Sequence, residues 1–362
     1  MRVRRLIQVG FLALLAIPAC AQQPVRSIAD EVRRLQSLAQ QQPSDDASWN
    51  DVKPSVTQYL KRAQDALDAG RQYYAIESLG HASDLLDSYL NTKQDPETFK
   101  KGMEGFEAHW NEAHVELTAV DAKARTRDWS KSPLVLRALS EAAQGQSMTL
   151  LEASRAYANV TNTTAGYFYV GEARASADFA TYCHSLQLRR TGPMRSPRSI
   201  LPELTSLQAE TNKLFQPPLS IEKHSDFIRL NATLKLAGEL DAANLHAGAL
   251  FEYLFALQQL GLLEARTIPR AEDLKALLSD ARHQVKESKE DDSVAELFLE
   301  KAEALLAPNS NLLGSEDLNL RTAGVLLQRV LSAYYAYWSA LPSTQPTGKE
   351  TVTVTLVRWP YT

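Results

Sequence analysis

Apolar residues recur at steps of three and four along this chain from Val25 to Leu341, the period of helices that each bury one face. The first run is Val25, Ile28, Val32, Leu35 and Leu38. A second helix is expected to open at Pro54, because proline suits a first helical turn, and to end at Gly70. A third carries Ala75, Leu79, Ala82, Leu86 and Tyr89. Asp95-Pro96 reads as a cap and first turn ahead of a fourth helix, whose seam is Phe99, Met103, Phe106, Trp110, Ala113, Leu117 and Val120. Ser132-Pro133 opens a fifth, with a weak point expected at Gly145, and an Ala-rich sixth runs from about Gly166 to Leu188. Six further segments are expected at roughly 201–216, 221–238, 240–261, 269–288, 292–306 and 316–340.

Two stretches break the pattern. Residues 189–200, with Gly192, Pro193, Pro197 and Arg189, Arg190, Arg195 and Arg198, read as a solvated linker. It separates an N-terminal helical domain, 22–188, from a C-terminal one, 201–341. After a second linker, Thr351 to Trp359 alternates polar and apolar β-branched positions, which predicts a short strand within the tail 342–362. A lone strand must pair, so it packs on its own domain, joins a second copy in a homodimer, or adds to a partner's sheet edge.

The halves resemble one another. Ser27-Ile28 with Glu31, Val32, Leu35 and Gln36 matches Ser199-Ile200 with Glu203, Leu204, Leu207 and Gln208. Leu67, Ala69, Gly70 and Ala75 match Leu236, Ala237, Gly238 and Ala243, in the same order. Residues 55–88 also resemble a tetratricopeptide helical hairpin, through Ala69-Gly70, then Ala75-Ile76-Glu77, Leu79 and Ala82. Arg62 and Ala63 depart from that family's usual Leu-Gly. The resemblance implies a protein-binding scaffold and no chemistry. The expected fold is therefore all-α, two related helical-hairpin or bundle halves of tetratricopeptide-like type, with a short C-terminal strand tail.

The first 21 residues set the compartment. Arg2, Arg4 and Arg5 precede an apolar run and Ala19-Cys20-Ala21, the three-part pattern of a secretory signal. Cleavage after Ala21 would give a soluble periplasmic or secreted protein; alternatively Ile17-Pro18-Ala19-Cys20 resembles a lipobox, which would anchor the chain to a membrane through Cys20. Without residues 1–21 the 39 basic residues fall to 36 against 43 acidic ones, so the formal charge moves from −4 to −7. A modestly acidic chain has no electrostatic reason to seek nucleic acid or anionic lipid.

Candidate chemistry is sparse. Glu172 and Glu252 stand on apolar stripes, where a carboxylate needs a partner or becomes neutral. For such an acid a structural ion pair with an arginine, such as Arg174 for Glu172, is expected ahead of an acid or base role in a pocket. His109, Glu112 and His114 are the weak candidates for a metal, although the two histidines lie about 140° apart around a helix and cannot easily share an ion. His81 reads as a core or rim histidine and Cys183 as a buried inert thiol; Tyr334 and Trp338 are expected to close the last helix against the core, and, with Trp359, are the alternative candidates to stack on a ligand. No GxSxG, HExxH, P-loop or GxGxxG pattern occurs, and nothing calls for a cofactor. The expectation is a non-enzymatic scaffold or binding module that engages a protein or peptide in the cell envelope. The alternatives are a helical-bundle enzyme or cofactor carrier using buried acids and histidines, and a lipid-anchored structural envelope protein.

Overall fold

Ser27 Oγ accepts the Asp30 N–H at 3.2 Å and the Asp30 carboxylate accepts the Ser27 N–H at 3.2 Å. This reciprocal capping box starts α1 (Ile28–Gln40). The computed structural model describes residues 26–340 apart from 94–96, 98–99, 159–161, 266, 309 and 311, and the side chain of 220. The described residues are helical and contain no β-strand. The expected signal, Cys20, Phe99, Asp95-Pro96, the 351–359 strand and Trp359 lie outside them.

The second helix, α2 (Ala47–Asp68), starts well before Pro54, because the Asp46 carboxylate accepts the Trp49 N–H at 3.2 Å and caps it there. Pro54 lies on its exposed face, where water can serve the Asn50 carbonyl that proline leaves unbonded. After α3 (Gln72–Asn91) come α4 (Met103–Ala124), α5 (Leu134–Tyr157) and α6 (Thr164–Ser185). The expected seam of α4 holds: Phe106, Trp110, Ala113 and Leu117 are buried. The chain continues through α7 (Leu201–Leu214), the single turn α8 (Leu219–Glu222), α9 (His224–Ala242), α10 (His246–Glu264), α11 (Ala271–Glu287) and α12 (Ser293–Leu306). It ends in α13 (Glu316–Val325) and α14 (Leu331–Ser339), joined by a π-turn at Leu326–Val330.

Gly238 does not end a helix. α9 runs through it and stops at Ala242, with Asn244 in the left-handed region at φ 61°. The turn at Asn244 repeats the one at Gly70. Gly70 N–H donates to Leu67 O and Arg71 N–H to Ala66 O; Asn244 N–H donates to Asp241 O and Leu245 N–H to Leu240 O. Both are Schellman caps, which use a left-handed residue to satisfy the last carbonyls of a helix. The geometric counterpart of Gly70 is thus Asn244.

Nor is Gly145 a weak point. A Cβ there would stand 2.7 Å from Leu240 Cδ2, so glycine lets α9 close on an unbroken α5. α5 is the central element, packing on α4, α6, α9, α10 and α12. One buried apolar cluster extends from Ile28 to Tyr337 and draws on both sides of residues 189–200. That segment is non-helical as expected, but two of its arginines are held rather than solvated. Arg195 pairs with Glu290 at 2.9 Å and Asp292 at 3.1 Å; Arg198 pairs with Glu203 at 2.5 Å and lies 4.3 Å over the Tyr337 ring.

Four helices receive carboxylates from distant positions at their N-terminal ends. Glu300 accepts the Tyr74 N–H of α3 at 2.7 Å, and Asp291 the Leu134 N–H of α5 at 2.7 Å. Asp241 accepts the Ile200 N–H ahead of α7 at 3.0 Å, and Glu141 the Gly248 N–H of α10 at 2.9 Å. None of these four helices has a side-chain cap from its own N-cap residue. The orphan N–H groups of a helix start need acceptors, and here tertiary packing supplies them.

Candidate binding cleft

α3 places Glu77, His81 and Asp84 at i, i+4 and i+7, one face of the helix. From Ala247 to Leu257 α10 is apolar or aromatic apart from Glu252, so burying this stretch carries that carboxyl inward. Between them opens a cleft of about 330 Å³, walled by α3, α5, α6, α9 and α10. Its apolar lining includes Leu139, Leu150, Phe179, Leu236, Phe251 and Phe255. Gly80 admits the Phe179 ring, since a Cβ there would fall 2.9 Å from it.

Each acid in the cleft has a different status. Glu77 is paired with Lys301 at 2.8 Å. Asp84 accepts one hydrogen bond, from Ser176 Oγ at 3.3 Å, and burial together with the nearby Glu172 carboxyl pushes its pKa well above the usual carboxylate range. Glu252 is 8 % exposed and has no hydrogen-bond or ion-pair partner among the described residues. Burial first, and the neighbouring Glu77 second, raise its pKa to about 8. His81 lies 5.0 Å from the Tyr59 ring and is exposed at the cleft; the surrounding protein, with Lys301 and Arg62 acting in the same direction, lowers its pKa.

The expected Glu172–Arg174 pair is absent. Arg174 turns instead to Glu116 at 3.1 Å and lies 3.3 Å from His109 Nε2. Glu172 is left half-buried beside Asp84, with a pKa raised to about 6 by burial. The metal candidates are dispersed. His109 is buried against the Tyr167 ring, with burial and Arg174 lowering its pKa to about 4. His114 stacks on Trp110 at 4.9 Å, and Glu112 is exposed. Among the described residues no three His, Cys, Asp or Glu side chains are grouped to hold a metal ion.

Tyr334 and Trp338 close α14 against the core. Tyr334 is fully buried and donates to Asp292 at 3.1 Å, and Arg195 lies 5.0 Å over the Trp338 ring. Cys183 is buried, and burial pushes its thiol far up, as befits an inert position. A second recess of about 410 Å³, between α2 and the end of α12, is lined by Lys61, Arg62 and Arg71; Asp65 holds Lys61 and the Leu312 carbonyl holds Arg62.

Of the sequence candidates, the structure brings His81 and Glu252 together and leaves the others apart. Sequence reading missed Glu77, Asp84 and Phe179. The spacing of Glu77, His81 and Asp84 beside the apolar stripe of α3 was the available signal. Comparison with protein-family models, with curated proteins and with solved structures returned no match.

Proposed function

We propose that this chain is a non-enzymatic helical binding module of the cell envelope or extracellular space, and that the five-helix cleft is its binding site. The observation that carries the reading is Glu252, buried without a partner at the wall of an apolar cavity. Its carboxyl oxygens stay in contact with the open cleft, where a ligand's polar group can meet them. At about 330 Å³ the cleft suits a small molecule or one to two side chains of a protein partner, within the roughly 300–1,000 Å³ typical of ligand pockets.

The hairpins α2–α3 and α9–α10, each joined through the same Schellman turn, support the reading of two related halves and a tetratricopeptide-like scaffold. The signal-like 1–21 segment supports a place outside the cytoplasm, free or held at Cys20, and the strand pattern of 351–359 is read as a second docking element.

The test is native mass spectrometry of the full mature chain incubated with envelope extract, beside Gln146→Trp, which fills the cleft. A species bound by the wild type, lost in the variant and recovered unchanged in mass supports the reading. Binding indifferent to Gln146→Trp would overturn it. A second reading, an acid–base enzyme, is favoured by one observation: Glu252 and Glu172 have pKa values of about 8 and 6, on either side of neutrality. Recovery of the bound species in altered form would decide for it.

A further inference from the structure

We propose that the cleft takes an organic cation, an ammonium or guanidinium group on an apolar stem, with Glu252 as its counter-ion. This rests on the reading of the cleft as the binding site and names the chemistry it selects.

The balance of charge around Glu252 carries the inference. From α3 come Glu77, His81 and Asp84; from α12 comes Lys301, already committed to Glu77 at 2.8 Å. From α6, Glu172 stands beside Asp84, while α5 and α9 contribute only the neutral Gln146, Thr149 and Thr233 as polar groups. Arg62 of α2 lies near enough to His81 to bias it against protonation, but its own hydrogen bond goes to the Leu312 carbonyl. Within the cleft, then, Asp84 and Glu252 have no cationic partner and His81 is neutral. An anionic ligand would find no free cation in the cleft to pair with, since Lys301 is held by Glu77. A neutral apolar ligand would seal Glu252 away from water still unpartnered. A cation supplies the absent partner, and the low-dielectric walls strengthen that pair once formed.

The walls specify the rest of the ligand. Phe179, Phe251 and Phe255 present aromatic surface to the same cavity, which suits both a hydrophobic stem and, through their faces, a positive head group. A small hydrated ion would forfeit that surface. Entry of the cation favours ionised Glu252, whose pKa in the empty protein is about 8, so binding near neutral pH releases a proton. The same head group could come from a free amine or from the lysine side chain of a peptide.

The experiment is isothermal titration of the full mature chain with 4-phenylbutylamine, the isosteric 4-phenylbutanol and 4-phenylbutyrate. It is repeated on Glu252→Gln and Gln146→Trp. The amine is expected to bind at least about 10-fold more tightly than the alcohol, the order of a charge-assisted hydrogen bond, and the carboxylate not at all. Glu252→Gln should remove that advantage while leaving the alcohol's affinity unchanged. Glutamine mimics the protonated acid, so the variant is expected to fold, and circular dichroism checks this. Affinity for the amine should rise from pH 6 to 8.5, with proton release seen as a buffer-dependent heat.

If the alcohol binds as well as the amine, or Glu252→Gln leaves the amine unaffected, the cation proposal is overturned while the cleft stands as a binding site. If none of the three binds, both fall. An acetylated Phe-Lys-Phe amide and its Nε-acetyl form then separate the two sources. Tighter binding of the unmodified peptide than of 4-phenylbutylamine assigns a protein side chain, and the reverse assigns a free amine; the Nε-acetyl peptide binding equally well would count against the proposal.

Discussion

The carboxylate of Asp291 accepts the backbone N–H of Leu134 at 2.7 Å, across 157 positions of sequence. α5 begins after Pro133, which offers no side-chain cap, so the central helix of the fold takes its cap from the segment just before α12. Ser293 accepts the next N–H, of Val135, at 3.0 Å. Asp291 itself is tied down by donating its own N–H to the Pro193 carbonyl at 3.0 Å. We expect Asp291→Ala to destabilise the protein by about 2–3 kcal/mol, since it leaves a buried N–H unsatisfied, and Asp291→Asn by clearly less. Urea unfolding followed by circular dichroism measures both; equal loss in the two variants would mean that the negative charge at the helix start, not the hydrogen bond alone, is what Asp291 provides.

Two helical glycines should respond in opposite ways to alanine. At Gly248 a Cβ would meet Glu141 Cβ at 2.7 Å and the Ala142 backbone nitrogen at 2.8 Å, so α5 and α10 would have to separate. Gly248→Ala is expected to cost about 2–3 kcal/mol. At Gly238 the nearest atom is the flexible Leu204 Cδ2 at 3.3 Å, and the gain in helix propensity, up to about 1 kcal/mol, makes Gly238→Ala neutral to stabilising. Thermal unfolding of the pair checks the contrast.

Asn244 occupies a left-handed position at φ 61°, which glycine adopts without strain and alanine does not. Asn244→Gly should change stability little or raise it by up to about 1 kcal/mol, and Asn244→Ala should lower it by about 1 kcal/mol. Opposite shifts in melting temperature are the expected readout.

Glu252 makes stability depend on pH. Its pKa is near 4.5 unfolded and about 8 folded, so between these values the folded state binds more protons. Stability from this group is therefore full below about pH 4.5 and is lost as pH rises towards 8. Replacing it by glutamine should flatten the slope between pH 5 and 8 and stabilise the protein at pH 8, on the order of 3 kcal/mol. Denaturant midpoints of both proteins across that range provide the check; parallel curves would place Glu252 in contact with water or a cation in the free protein.

The Cys183 thiol should resist an aromatic disulfide reagent in the native state, being buried and held protonated. In a Cys20→Ser background it should react fully on addition of denaturant. Rapid native reaction would show that α6 opens locally.

What the sequence determined by itself was whatever depends on neighbours along the chain. The three-and-four spacing of apolar residues marked the helices, and the α4 seam through Phe106, Trp110 and Leu117 is buried as that spacing requires. The turn at Gly70 was equally legible, being written in the few residues that form it, whereas the Ser27 cap, two residues past the expected Val25 start, was not read. The same local logic misplaced the start of α2 at Pro54 and the end of α9 at Gly238, because Asp46 and Asn244 held the decisive cap and turn. Tertiary structure alone decided which carboxylates matter. Asp291 and Glu141 are spent on helix ends that carry no cap of their own, and Arg174 leaves Glu172 for Glu116. It alone brought Glu252 of α10 to the face of α3 that bears His81 and Asp84. Helical periodicity fixes the direction in which a side chain leaves its own axis, but the partner it meets depends on how separate axes pack, and no spacing within one helix encodes that.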